Sequence, residues 1–147
     1  LALEGKITLP RVIPPAPETI AAFPDAFVDY MRVRIDPVKS GDTDRVLRFD
    51  FQDGTSVGLH VRRAVAEFID DPDSYPRKPD IVLQLSGEAW AGVYLSTAPI
   101  DELIEDGQIT VTSGDAAEAA RVLNVFDRYD PKRAVVIPSA ANIHEHI

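Results

Sequence analysis

The sequence contains no cysteine. Disulfides and thiolate metal sites are therefore excluded, and cysteine usage leaves the compartment open. No run approaches the ~18 consecutive apolar residues that a membrane-spanning helix needs. Leu1 to Pro10 lacks the basic start, apolar stretch and small-residue cleavage site of a secretory signal. The chain does not open with Met, so a longer parent is expected, and any targeting signal would lie there. Histidine is scarce, with only His60, His144 and His146. Neither GxGxxG, GxxxxGK[ST] nor GxSxG occurs. Basic residues are outnumbered, 15 Lys and Arg against 24 Asp and Glu, for a formal charge of −9. They are scattered in pairs such as Arg32 with Arg34 and Arg77 with Lys78. A phosphate backbone would be repelled, so nucleic acid is excluded as a partner.

What is present is the make-up of an ordinary globular domain. Hydrophobic residues reach 45% and charged residues 27% over 147 residues, enough for one domain with a real core. Proline is concentrated at the start: Pro10, Pro14, Pro15, Pro17 and Pro24 punctuate the first 24 residues. Proline fixes φ and removes a donor, which predicts an extended arm or linker. Residues 1–16 are read as an arm following an upstream domain of the same polypeptide.

From there the hydrophobic period alternates between helix and strand. Phe23, Phe27 and Met31 are spaced by four, which predicts a helix from about Asp25 to Ile35, ended by Asp36-Pro37. Leu47, Phe49 and Phe51 alternate with Arg48, Asp50 and Gln52, and Asp53-Gly54 signals a hairpin into Val57, Leu59 and Val61. Val65 to Ile69 reads as a third strand. Asp70 to Pro79, with Pro72, Pro76 and Pro79, reads as a loop. Ile81, Leu83 and Leu85 form a fourth strand. Ser86 is placed to cap the next helix, which carries Trp90, Val93 and Tyr94 on one side. Ile100, Leu103 and Ile104 mark a short helix stopped at Gly107. Ile109 and Val111 alternate in a fifth strand. Asp115 and Glu118 have capping-box spacing before a helix striped by Ala119, Val122, Leu123 and Phe126, which Asp130-Pro131 is expected to stop. Ala134 to Ile137 suggests a last short strand, and residues 139–147 a tail. The expected fold is α+β: about five mostly antiparallel strands with helices covering one face.

Catalytic chemistry is thin. His60 lies on the polar side of its strand and reads as an exposed or edge histidine. His144 and His146 point the same way on an extended chain, but a closed zinc site needs a third or fourth ligand. They read as a solvated tail. Asp50 with Asp53, or Asp70 with Asp71, has nothing to raise it above surface charge. No catalytic residue, metal ligand or cofactor is assigned. The aromatic and aliphatic content says more. Short helices bearing Gly87, Ala89, Ala91 and Gly92 fill space loosely, which suits a cavity over the sheet. Plain core packing is nonetheless the first reading of these residues, and the cavity is its alternative.

Three segments carry a family resemblance: PETIAAFPDAFVDYMRVRI from Pro17, the FxFxDG hairpin at Leu47 to Gly58, and Asp80 to Pro138 with its IDELIEDGQI and FDRYDPKRAVVIP blocks. In order and spacing they resemble the C-terminal domain of alkyl sulfatases, a branch of the sterol-carrier-protein type 2 superfamily, over about Pro17 to Pro138. The resemblance implies a five-stranded sheet, an apolar tunnel, and a noncatalytic role in bringing a long-chain alkyl or lipid molecule to a separate metallohydrolase domain. The HxHxDH zinc motif of that other domain is absent from this sequence. The implied lining is Phe49, Phe51, Leu59, Leu83, Leu85, Trp90, Val93, Tyr94, Leu103, Ile104, Leu123 and Phe126. Arg48, Arg62 and Arg63 are the candidates for pairing with an anionic head group. The Asp70 to Pro79 loop departs from the family pattern and is expected near the tunnel mouth. The competing expectation is an interaction module whose core is filled by its own side chains and whose arm docks on a neighbouring domain or a second copy, giving a homodimer.

Overall fold

A computed structural model describes residues 15–131. Five strands follow the alternating segments: β1 (Asp44–Phe51), β2 (Ser56–Arg62), β3 (Val65–Ile69), β4 (Ile81–Leu85) and β5 (Ile109–Ser113). They form one sheet in the order β3-β2-β1-β4-β5. Neighbours pair antiparallel except β1 with β4, which run parallel. The register lines up apolar rows across the sheet. Phe68, Leu59, Leu47 and Ile81 make one, and Val57, Phe49, Leu83 and Val111 the next. Because side chains alternate along a strand, these rows share one face, while Arg48, Asp50 and His60 take the other.

The helices are α1 (Pro17–Ala22), α2 (Pro24–Met31), α3 (Pro37–Ser40), α4 (Gly87–Tyr94), α5 (Ile100–Glu105) and α6 (Ala116–Leu123); all but α3 contribute to the core over the apolar face, and α3 packs Ser40 on the Arg63 carbonyl beyond the end of β2. The predicted caps form. Ser86 Oγ accepts from the Ala89 amide at 3.0 Å, and an Asp115 carboxylate oxygen accepts from the Glu118 amide at 2.9 Å. The reciprocal half of the capping box is replaced. The Glu118 carboxylate turns outward to Arg121 at 2.8 Å and Arg45 at 3.0 Å, tying α6 to β1. Gly87 lets α4 approach α1, since a Cβ there would lie 2.2 Å from the Ala21 carbonyl oxygen.

Several expectations are corrected. Residues Pro17–Ala22 are helical, not part of an extended arm, because proline suits the first turn of a helix. The helix expected over Asp25 to Ile35 runs Pro24–Met31 and tightens into a 3₁₀ turn at Arg32–Arg34. Asp36 ends that run and also starts a new one. Its carboxylate accepts from the amides of Val38 and Lys39, at 2.9 and 3.3 Å, and caps α3 inside the expected polar loop. The last helix stops at Leu123, well before Asp130-Pro131. The chain is then extended, and Phe126 bridges Ile35. The expected strand at Ala134 to Ile137, the tail with His144 and His146, and residues 1–14 of the arm lie outside the described residues.

Two outcomes follow. Gly87→Ala is expected to lower stability by about 1–3 kcal/mol, since the added methyl must separate α1 from α4; an unchanged denaturation midpoint would refute the close approach. The Arg121 hydrogen bond foremost, aided by Arg45, pulls the Glu118 pKa down to about 2. A depressed folded pKa gives stability that is complete above the ordinary carboxylate range and disappears as pH falls through about 2. Wild type should exceed Glu118→Gln by less than ~1 kcal/mol, given the partial exposure of the pair. That margin should close between about pH 4 and pH 2 in urea titrations.

Candidate functional site

The sheet's apolar rows bring the expected lining together. Phe49, Phe51, Leu59, Leu83, Leu85, Trp90, Val93, Tyr94, Leu103, Leu123 and Phe126 all belong to one buried cluster, with Ile104 half-buried against it. Trp90 meets Phe49 edge-on at 5.2 Å, and Phe27 meets Tyr94 in the same way at 5.2 Å. At these positions the described interior is occupied by its own side chains. The Trp90 indole N–H finds no acceptor there. Such a donor costs roughly 1–3 kcal/mol when left unpaired, so it is a polar handle inside an otherwise apolar volume.

Open space lies at the margins of this cluster. A groove of about 390 Å³ is lined by Pro17, Glu18, Ala21 and Ala22 of α1 and by Glu88 and Ala91 of α4. Three alanines floor it and Glu18 and Glu88 belong to its lining, where the two helices meet closely at Gly87. A smaller cavity of about 50 Å³ lies where the Arg32–Arg34 turn, the end of α4 and the extended segment after α6 converge.

The three head-group arginines do not gather on the lining. Arg48 is on the opposite sheet face, paired with Asp50 at 2.8 Å and Asp73 at 2.7 Å. Arg62 is exposed at the end of β2, and Arg63 is exposed in the β2–β3 turn with φ of 57°. The cation that does enter the core is Arg34, only 8% exposed. Its Nη1 donates to the Tyr94 carbonyl at 2.6 Å and its Nε to the Asp127 carbonyl at 3.1 Å. Its guanidinium lies 4.8 Å from the Tyr94 ring centre and 5.6 Å from that of Tyr129. Burial lowers the Arg34 pKa, opposed chiefly by Tyr94, and burial raises that of Tyr94. Arginine nonetheless stays charged at any physiological pH. A signal for Arg34 existed in the sequence. It falls seven residues after Phe27 and three after Met31, where the helical stripe calls for an apolar side chain.

His60 corrects another expectation. It is buried rather than exposed, because the proline-rich loop folds over its face of the sheet. Its Nδ1 meets Tyr75 Oη at 2.7 Å and its Nε2 meets Asp44 Oδ1 at 2.7 Å. Arg77 joins the same carboxylate oxygen at 2.6 Å and reaches Asp80 at 3.0 Å. Bonding to His60 first, then to Arg77, holds the Asp44 pKa below the usual carboxylate range. Tyr75, Asp73 and Arg77 thus pin the Asp70 to Pro79 loop to the face away from the helices, not to a tunnel mouth over them. Among the described residues, no group of three or more histidine, aspartate and glutamate side chains is placed to hold a metal ion. Nor is any described helix long and apolar enough to cross a membrane.

The comparisons with known proteins point one way. The model of a family described as alkyl sulfatase C-terminal matches residues 15–138. Among solved structures, the stereoselective inverting sec-alkylsulfatase Pisa1 from Pseudomonas sp. superposes with a TM-score of 0.62 at 23% identity, over 77% of this chain and 18% of its own. The chain therefore spans under a fifth of that enzyme. Apo sterol carrier protein 2 from Yarrowia lipolytica gives 0.52 at 17% identity, over 70% of this chain and 89% of its own. Palmitated sterol carrier protein 2 like 2 from Aedes aegypti gives 0.52 at 15%, over 72% and 96%. These likenesses show the fold. No curated protein sequence matches.

One outcome tests the loop's anchor. His60→Ala removes the ring that links Tyr75 to Asp44 and should cost about 1–3 kcal/mol. Amide hydrogen exchange across residues 71–79 should accelerate more than elsewhere. A uniform change across the sheet would argue against a local pin.

Proposed function

The chain belongs to the alkyl sulfatase C-terminal family, which its matched residues 15–138 establish, and from that membership we propose a noncatalytic domain that binds long alkyl or acyl chains. The family match is the observation that carries the reading, and the sterol-carrier fold supports it. In this reading the chain inserts between the sheet and its helical cover, among Phe49, Trp90, Tyr94, Leu103 and Phe126. The cover consists of helices of six to eight residues. Isolated helices this short are unstable, so their packing on the sheet holds them, and parting that packing admits a ligand. The groove between α1 and α4 is the place where such parting would begin.

The magnitudes suit transport rather than retention. Each buried methylene contributes about 0.8 kcal/mol, so about ten give roughly 8 kcal/mol before ordering and association costs. Micromolar to millimolar dissociation constants follow. In a longer parent polypeptide, the domain would raise the local concentration of apolar substrate beside a separate hydrolase domain, where bond breaking would occur. A second reading, an interaction module with a self-filled core, is favoured by the close packing of Trp90 on Phe49.

Titration with decanol, decanoate and decyl sulfate decides between them. Trp90 is wholly buried against Phe49, so a chain entering the interior should shift its emission and saturate. Binding without any Trp90 response would place the chain on the surface, and no binding of any of the three would leave the interaction module. In a full-length parent hydrolase, deleting this domain should raise KM for dodecyl substrates about tenfold, the worth of roughly two buried methylenes, while sparing butyl substrates.

A further inference from the structure

Arg34 keeps a donor for which the described residues supply no acceptor. Its Nε and Nη1 have carbonyl acceptors, but its buried Nη2 has none. The carbonyls and the two tyrosine rings stabilise the cation, and the Asp127 carboxylate adds a weaker attraction. Beside it is the cavity of about 50 Å³, lined by Arg34, Asp127 and Arg128 together with apolar Met31, Val93 and Phe126. A single water needs only about 10–15 Å³, so the space suits a group of carboxylate or sulfate size. Its lining carries two arginines against one aspartate, which favours an anion despite the chain's overall −9. Arg128 is exposed, and among the described residues its Nη2 donates to the Ser96 carbonyl at 3.2 Å.

We propose that Arg34 and Arg128 bind a small oxyanion in this cavity, a carboxylate or sulfate group borne either by a free ion or by the head of an amphiphile. Charge-assisted bonds to guanidinium are the stronger kind, and the two arginines are the basic residues of this lining. The amphiphile form deepens the chain-binding reading and rests on it; the bare oxyanion site does not.

The Arg34 Nε–H resonance of the whole 147-residue chain reports the site directly. Sodium acetate should move it saturably in the millimolar range, beyond any change caused by sodium chloride at matched ionic strength. Arg128→Gln, at an exposed position, should weaken acetate about threefold to tenfold with circular dichroism unchanged. Arg34→Gln should abolish the effect, and if that variant does not fold, Arg128→Gln carries the test alone. A response to acetate that is linear, or equal to that of chloride, overturns the inference. Octanoate and octanol separate the sources. Octanoate binding at least tenfold tighter than both acetate and octanol supports an amphiphile head at Arg34. Octanoate no tighter than acetate keeps the oxyanion site and removes the chain-binding reading. Octanol equal to octanoate, with acetate inert, removes the oxyanion site and keeps the chain-binding reading.

Discussion

Everything in this domain depends on giving the sheet's apolar face a cover. The rows through Leu47 and Phe49 cannot face water at acceptable cost, since each large side chain is worth about 1.5–3 kcal/mol on burial. Trp90 settles over Phe49 at the middle of that face. It gets there because β4 pairs parallel to β1, and Ser86 turns the chain into α4 one residue after β4 ends. The cap, the strand direction and the tryptophan are thus one device. It sets the layer in which α1 and α2 then find their places, with Gly87 allowing the contact to Ala21.

The two faces of the sheet are managed by different physics. The helix side is held by apolar contact, which has no preferred direction and can be re-formed around a different content. The other side is held by directional bonds: His60 between Tyr75 and Asp44, Arg77 on Asp44, and Arg48 on Asp73. A loop with three prolines loses little entropy when pinned in this way. One face is therefore adaptable and the other fixed, a division that suits the proposed chain-binding role.

Much of this was legible in the sequence, and the rest was hidden for physical reasons. Period-two alternation in Leu47 to Phe51 and Val57 to Val61 set the hairpin, and Ser86 and Asp115 marked helix starts by their ability to accept first-turn amides. The apolar stripe found the cluster around Trp90. What alternation cannot reveal is which polar residues a distant loop will cover, so His60 read as exposed. Nor does it reveal a change from helix to extended chain while apolar spacing persists, so the last helix was drawn past Leu123 to reach Phe126. Arg34 was read as one of a scattered basic pair. Its place on the Phe27 and Met31 stripe was visible, but a buried arginine is rare enough that solvent exposure is the default expectation.

The parallel pairing of β1 with β4 also sets an order of assembly. β1, β2 and β3 are joined by tight turns and can form a meander as soon as they are made. β4 reaches its partner only after the intervening chain has closed, and such non-local pairings are slow. During synthesis α4, α5 and α6 emerge after the meander, whereas α1 and α2 emerge before it. Their apolar stripes have no sheet to rest on until the strands behind them are complete. The domain is thus greasiest before it is finished, and its N-terminal helices are the segment most in need of shelter while the chain is still being made.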